Sequence, residues 1–170
     1  MDQTEDINKL LDRVKKVEKS EKLDLSSDED LSIAVMNLIS IEEHLFFSGA
    51  KTGKSQYYEL LNQVREMRKT LLKKIIKDYE GEDWCISKHL LAGCMRLIEV
   101  GTKSLTKGDK KEAGEFFKMA YSLYSLFWGL NLKLLKTSEI EKSVEDKDSS
   151  RGFLGKLGEV IKKAIDCCRE

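Results

Sequence analysis

Apolar residues recur at three- and four-residue steps along most of this chain, the period of one face of a helix. Ile7, Leu10, Leu11, Val14 and Val17 stand in a charged background and predict an amphipathic helix over 5–23 with a narrow two-heptad seam. The run Ser26-Ser27-Asp28-Glu29-Asp30 reads as a break followed by a start: Ser27 and Asp30 have cap-and-return spacing, and acids suit the positive end of a helix. The helix that follows, to about residue 48, is apolar nearly all round (Leu31, Ile33, Val35, Met36, Leu38, Ile39, Ile41, Leu45, Phe46, Phe47), which predicts a place in the middle of a bundle. Residues 49–55 read as a loop. A third helix is predicted over 56–79 with Tyr57, Leu60, Leu61, Val64, Met67, Leu71, Leu72, Ile75 and Ile76 inward, a fourth over 84–106 and a fifth over 110–135. Residues 136–150, rich in Ser, Glu, Asp and Lys, carry too little apolar surface to order themselves and read as a linker. A last amphipathic helix is predicted over 153–168.

Composition sharpens this into a fold class. Proline is absent from the 170 residues, where average usage gives roughly 8, and a chain without its strongest helix breaker favours long helices. The expectation is all-α: an antiparallel four-helix bundle core with an extra amphipathic helix at each terminus. In segments this is an N-terminal amphipathic helix within 1–25, a bundle over 28–136, a polar linker over 137–150 and a C-terminal amphipathic helix within 151–170. A chain of this length buries a core without staples. Thirty basic and thirty acidic residues give a formal net charge of zero, so there is no global attraction to nucleic acid or anionic membrane. Cys85, Cys94, Cys167 and Cys168 are too few for a disulfide framework, and the acidic opening residues lack an apolar segment, so the expected location is cytoplasmic. The longest uncharged run, 119–132, falls short of the ~20 apolar residues of a spanning helix.

Within this frame one hairpin stands out. Leu97, Val100 and Gly101 precede a Gly108-Asp109 turn, and Ala113, Phe117 and Ala120 recur at helical spacing beyond it. The spacing resembles a tetratricopeptide repeat over about residues 94–127. Ser104 stands where that family usually has an aromatic, and no proline follows the second helix. The resemblance implies two closely apposed antiparallel helices with an aromatic filling the gap between them. It also points towards a packing and binding unit. Arrays of such repeats generally need at least ~3 copies to bury a continuous core, and no second copy is found 34 residues upstream, where Met67 and Tyr79 replace Gly101 and Ala113. A tight helical turn within any bundle uses small residues in the same way.

Candidate chemistry changes little. The stretch Gly49-Ala50-Lys51-Thr52-Gly53-Lys54-Ser55 mimics a phosphate-binding loop, but Ser48 occupies the required glycine position and no strand precedes it. Glu42, Glu43, His44, Cys85 and His89 invite a metal reading. Ile41 and Ile86, however, stand where di-iron bundles place a glutamate before each histidine. Cys94 lies ~180° around the helix from Cys85 and cannot share a metal with it. Cys85 with His89 is the nearest approach to a nucleophile and base, with no third orienting group. No catalytic residue, metal ligand or cofactor is therefore assigned, and the chain is expected not to be an enzyme. Arg65, Lys69, Lys73 and Lys77, flanked by Arg68 and Lys74, form a cationic stripe ~18 Å long. Glu66 and Asp78 dilute it and no aromatic is interleaved for stacking, so it reads as a solvated face rather than a nucleic-acid site.

The expected partner-binding residues are Phe153, Leu157, Val160, Ile161, Ala164 and Ile165, the apolar stripe of the last helix. Three destinations are open to that stripe: its own bundle, a groove on a partner, or a membrane surface. Cys167-Cys168-Arg169-Glu170 is not a prenylation signal, because it ends in charges. The function expected from all of this is a small helical protein-interaction module, self-associating through its terminal helices. The alternatives are a ligand- or metal-binding bundle and peripheral attachment to a membrane.

Overall fold

A computed structural model of the chain describes residues 12, 26–76, 82–135, 155, 157–159 and 161–162. The described residues are helical apart from turns, with no strand among them. Four helices follow in order: α1 (Ser26–Thr52), α2 (Gln56–Ile75), α3 (Glu82–Thr106) and α4 (Lys110–Asn131). The predicted linker over 137–150 lies outside the described residues, as does nearly all of 1–25. Residues 155, 157–159 and 161–162 are helical.

The chain is organised as two hairpins. α1 packs against α2 and α3 against α4, and a smaller contact joins α1 to α3. Contacts descend one helix as they climb the other, so both hairpins are antiparallel. Glu42 meets Arg68 and Gly49 meets Tyr58 in the first. Gly93 meets Leu123, Gly101 meets Phe117 and Ser104 meets Glu112 in the second.

The turn of the first hairpin differs from the sequence expectation. Helix α1 runs through 49–52, and the reversal is made at Gly53, whose φ of 70° suits a residue without Cβ. Its N–H donates to Gly49 O at 2.8 Å, closing the helix end. The phosphate-loop look-alike is thus mostly helix. In the second hairpin Gly108 (φ 87°) makes the turn and Asp109 caps α4 by accepting from the Glu112 N–H at 2.9 Å. The Glu112 carboxylate accepts from Ser104 Oγ at 2.7 Å, so the serine in the usual aromatic position ties the turn to α3.

Close approach of α3 and α4 rests on Gly101. A Cβ built there would lie 2.6 Å from Phe117 Cε1 and 3.2 Å from Phe116 Cβ, and Ala113 and Ala120 are buried on the facing helix. Gly101→Leu should therefore overpack the hairpin and lower stability by ~1–3 kcal/mol, read from the urea midpoint. A neutral result would mean that the helices are not in contact there.

The core gathers at the end of the hairpins where α2 ends and α3 begins. It takes Val35 and Met36 from α1, Leu72 and Ile75 from α2, and Leu91 and Cys94 from α3. Ala120, Phe127 and Trp128 come from α4. Beyond the helix ends, Ile76, Leu134, Leu135, Leu157 and Ile161 complete it. Tyr124, Phe127 and Trp128 form an aromatic knot, the last two with ring centroids 5.2 Å apart and edge to face. Ser32 Oγ lies 2.9 Å from the Tyr124 hydroxyl, a polar link between α1 and α4 beside this knot.

Two expectations for the core are corrected here. α1 is not enclosed by a bundle: Ile33, Ile41, Phe46 and Phe47 are exposed. In α2, Leu60 and Met67, expected inward, are exposed as well. The outer parts of α1 and α2 have each other as neighbours, and one neighbour covers only one side of a helix.

Candidate interaction surface

Helices α1 and α2 carry apolar side chains past the point where the core ends. Phe46 and Phe47 occupy the last turns of α1, and Tyr58 and Leu60 the first turns of α2. Phe47 is the most open of the four at 59%, and Phe46 is 50% exposed. The two phenyl rings touch edge to face with centroids 5.2 Å apart, which fixes them as one apolar unit. Tyr58 lies over Gly49, where a Cβ would come 2.7 Å from the ring, so its aromatic body sits against the backbone of α1. Met67, further along α2, is 53% exposed. On the second hairpin Ile98, Leu105, Phe117 and Met119 are exposed.

An ion pair separates this outer region from the core. Arg68 is buried on α2 and meets Glu42 of α1 with both guanidinium and carboxylate, Nε to Oε1 at 2.5 Å and Nη2 to Oε2 at 3.3 Å. Arg68 therefore does not belong to the cationic face on which its spacing placed it. Of the rest of that stripe, Lys69 bonds Glu66 at 2.9 Å, and this hydrogen bond holds the Glu66 carboxyl below its ordinary range. Lys77 lies outside the described residues. Arg96 of α3 bonds both Glu99 and Glu43, the latter bracing α3 against α1 at the surface.

The other candidate groups lie apart. His44, Cys85 and His89 are exposed and Cys94 is buried. Among the described residues no group of three or more His, Cys, Asp or Glu side chains could hold a metal ion. Burial pushes the Cys94 thiol up to about 11. The folded state thus holds this proton more tightly than the unfolded chain, whose thiol has the ordinary value of 9.0. Its contribution to stability is full below pH 9 and is lost as pH rises towards 11. In the native protein at pH 8, iodoacetamide should label Cys85 rapidly and Cys94 slowly, as mass spectrometry of the peptides would show. Equal labelling rates would contradict the burial.

The expected partner-binding stripe at the C-terminus takes a different course. Leu157 and Ile161 are fully enclosed in this chain's own core. Gly129 lets Leu135 fold close over α4, where a Cβ would sit 2.8 Å from Leu135 Cδ1, and Leu157 lies beside it. The Tyr121 hydroxyl donates to Gly158 O at 3.1 Å and locks the segment onto α4. Those two side chains are not presented to a partner in this arrangement. Phe153, Val160, Ala164 and Ile165 lie outside the described residues.

By length and composition, Ser27–Thr52 is the one candidate for a membrane-crossing helix among the described residues. Glu42 and Glu43 interrupt its apolar run. No protein family, curated protein or solved structure matches the chain.

Proposed function

We propose that the chain is a small non-enzymatic protein-interaction module. On this reading the four helices form an antiparallel bundle flanked by an amphipathic helix at each terminus, and the protein works in the cytoplasm. The partner site is the outer part of the α1–α2 hairpin. The observation that supports this is the exposed Phe46–Phe47 ring pair in the last turns of α1, with Tyr58 and Leu60 exposed in the first turns of α2, beyond the buried Glu42–Arg68 pair. Scattered exposed apolar residues are ordinary on a soluble protein, whereas two exposed aromatic rings in contact with each other are the kind of side chain enriched at binding surfaces. Leu157 and Ile161 lie in the core, so the C-terminal stripe is a weaker candidate for the partner than this hairpin. Crossing of a membrane by α1 is disfavoured by the same ion pair, whose charges would lie in the middle of the span.

Phe46→Ser combined with Phe47→Ser tests the reading. Both side chains are about half exposed, so the fold should hold and the melting temperature should change little. In native extract the unaltered chain should sediment in a species larger than the free monomer, and the double variant as the monomer. Monomeric sedimentation of the unaltered chain, or equal sedimentation of both, would count against the proposal.

A further inference from the structure

We infer that the partner is an acidic amphipathic helix that enters between the two hairpins, and that the second hairpin supplies the other wall of its site through Ile98, Leu105 and Phe117. The inference rests on the reading of the Phe46–Phe47 region as a partner site, and adds to it a second wall and the chemistry of the partner. Seven residues make two turns of helix with only ~20° of drift, so positions seven apart share a face. On α1 the stripe Ser32, Ile39, Phe46 passes from buried through half-buried to 50% exposed. On α3 Leu91 is fully buried, Ile98 is 39% exposed and Leu105 47%. On α4 half-buried Tyr124 is followed, towards the turn, by Phe117 at 36%. Ser32 Oγ and the Tyr124 hydroxyl are 2.9 Å apart, so the stripes of α1 and α4 face each other at the core. Tyr124 adjoins Leu123, which meets Gly93, while Glu43, further along α1, bonds Arg96, further along α3. Helices α1 and α3 thus leave the core in the same sense, and the turns at Gly53 and Gly108 lie on one side of it. Stripes that meet at the core and open towards the turns describe two hairpins that part, with an apolar wedge between them. Its walls are helices, and a partner helix fills such a groove by packing ridges into grooves. A planar bilayer does not reach both facing walls. Charge sets the chemistry of the partner. Residues 50–56 and 105–110, at the mouth of the wedge, carry exposed Lys51, Lys54, Lys107 and Lys110 in a chain of zero net charge. Their one acid, Asp109, caps α4. Glu59 and Glu115 each lie ~160° round their helix, the first from buried Ile75 and the second from Phe117. A helix with acids flanking its apolar face matches both the walls and the rim.

A photo-crosslinking amino acid in place of Leu105, in the full chain expressed in its own cells, provides the test. Irradiation should yield a protein adduct of the same mass as the same probe gives at position 47. Mass mapping should place the link in a partner segment with apolar residues at three- and four-residue spacing and an excess of Asp and Glu. The probe in place of Lys103, ~160° round α3 from Leu105, should yield no adduct. Lys54→Glu combined with Lys110→Glu, both exposed, should leave the melting temperature nearly unchanged. The adduct yield from position 105 should nevertheless fall by about tenfold or more, because like charges then face each other. An adduct from position 47 without one from position 105 would overturn the second wall and leave the site on the first hairpin standing. Absence of both would count against that site as well. An adduct from position 105 to lipid, or to another part of the same chain, would overturn the inference. A link to a basic segment, or a yield unmoved by the double variant, would overturn the acidic chemistry.

Discussion

Phe127→Ala should lower stability by ~3–5 kcal/mol. Phe127 is fully buried, and its ring contacts both Trp128 and Tyr124, with centroids 5.2 and 6.3 Å away. Truncation removes the transfer free energy of the ring and leaves a cavity that fixed neighbours close only in part. The core is shared by both hairpins and by Leu157 and Ile161, so the damage is not local to α4. Urea unfolding followed by circular dichroism should show one cooperative transition shifted to a much lower midpoint. A loss below ~1 kcal/mol would mean that the two hairpins do not share this core.

Arg68→Ala should cost about 3 kcal/mol, the lower end of the range for an orphaned buried charge. The Arg68 side chain is only 6% exposed and that of Glu42 17%, so the remaining carboxylate keeps little contact with water. Combining Arg68→Leu with Glu42→Leu should recover most of the loss, because an apolar pair of similar bulk avoids desolvating either charge. A double-mutant cycle on the urea midpoints would measure this as a coupling of opposite sign to the single losses. Additive losses would show that the two side chains do not interact. Breaking Arg96 from Glu43 should matter far less, since both side chains are more than two-fifths exposed and water screens them.

Local pattern made the second hairpin legible before any coordinates. Gly101, Ala113, Phe117 and Ala120 are close in sequence, and their small and aromatic side chains determine how α3 meets α4. The turn at Gly108-Asp109 was equally plain, since a positive-φ glycine followed by a capping acid ends one helix and starts the next. The first hairpin was harder to read because two glycines compete for its turn. Gly49 is held inside α1 by Tyr58 above it, and that contact is made across the hairpin, not along the sequence.

Composition also misled in α1. A helix apolar on every side can be surrounded by neighbours or can be left with faces open, and periodicity does not distinguish the two. The answer depends on where the neighbouring helices diverge. Arg68 shows the same difficulty from the polar side. Its spacing matches a solvated cationic stripe, and only the pairing of α2 with α1 brings Glu42 opposite it. The burial of Leu157 and Ile161 depends on core residues far away in the sequence, among them Phe127, Trp128 and Leu135. An amphipathic stripe says that something will cover it, and the cover is decided by shape elsewhere in the fold. The proposed partner site follows the same logic, since Phe46, Phe47 and Leu60 have the spacing of core residues and only the packing of the helices leaves them exposed.

The central claim is that the exposed apolar end of the α1–α2 hairpin binds another protein. A photo-crosslinking amino acid in place of Phe47, in the full chain expressed in its own cells, tests it most directly. Irradiation should yield one discrete protein adduct of constant mass, and the same probe in place of exposed Lys111 at the start of α4 should yield none. Adducts confined to lipid, or equal and diffuse labelling from both positions, would contradict the account.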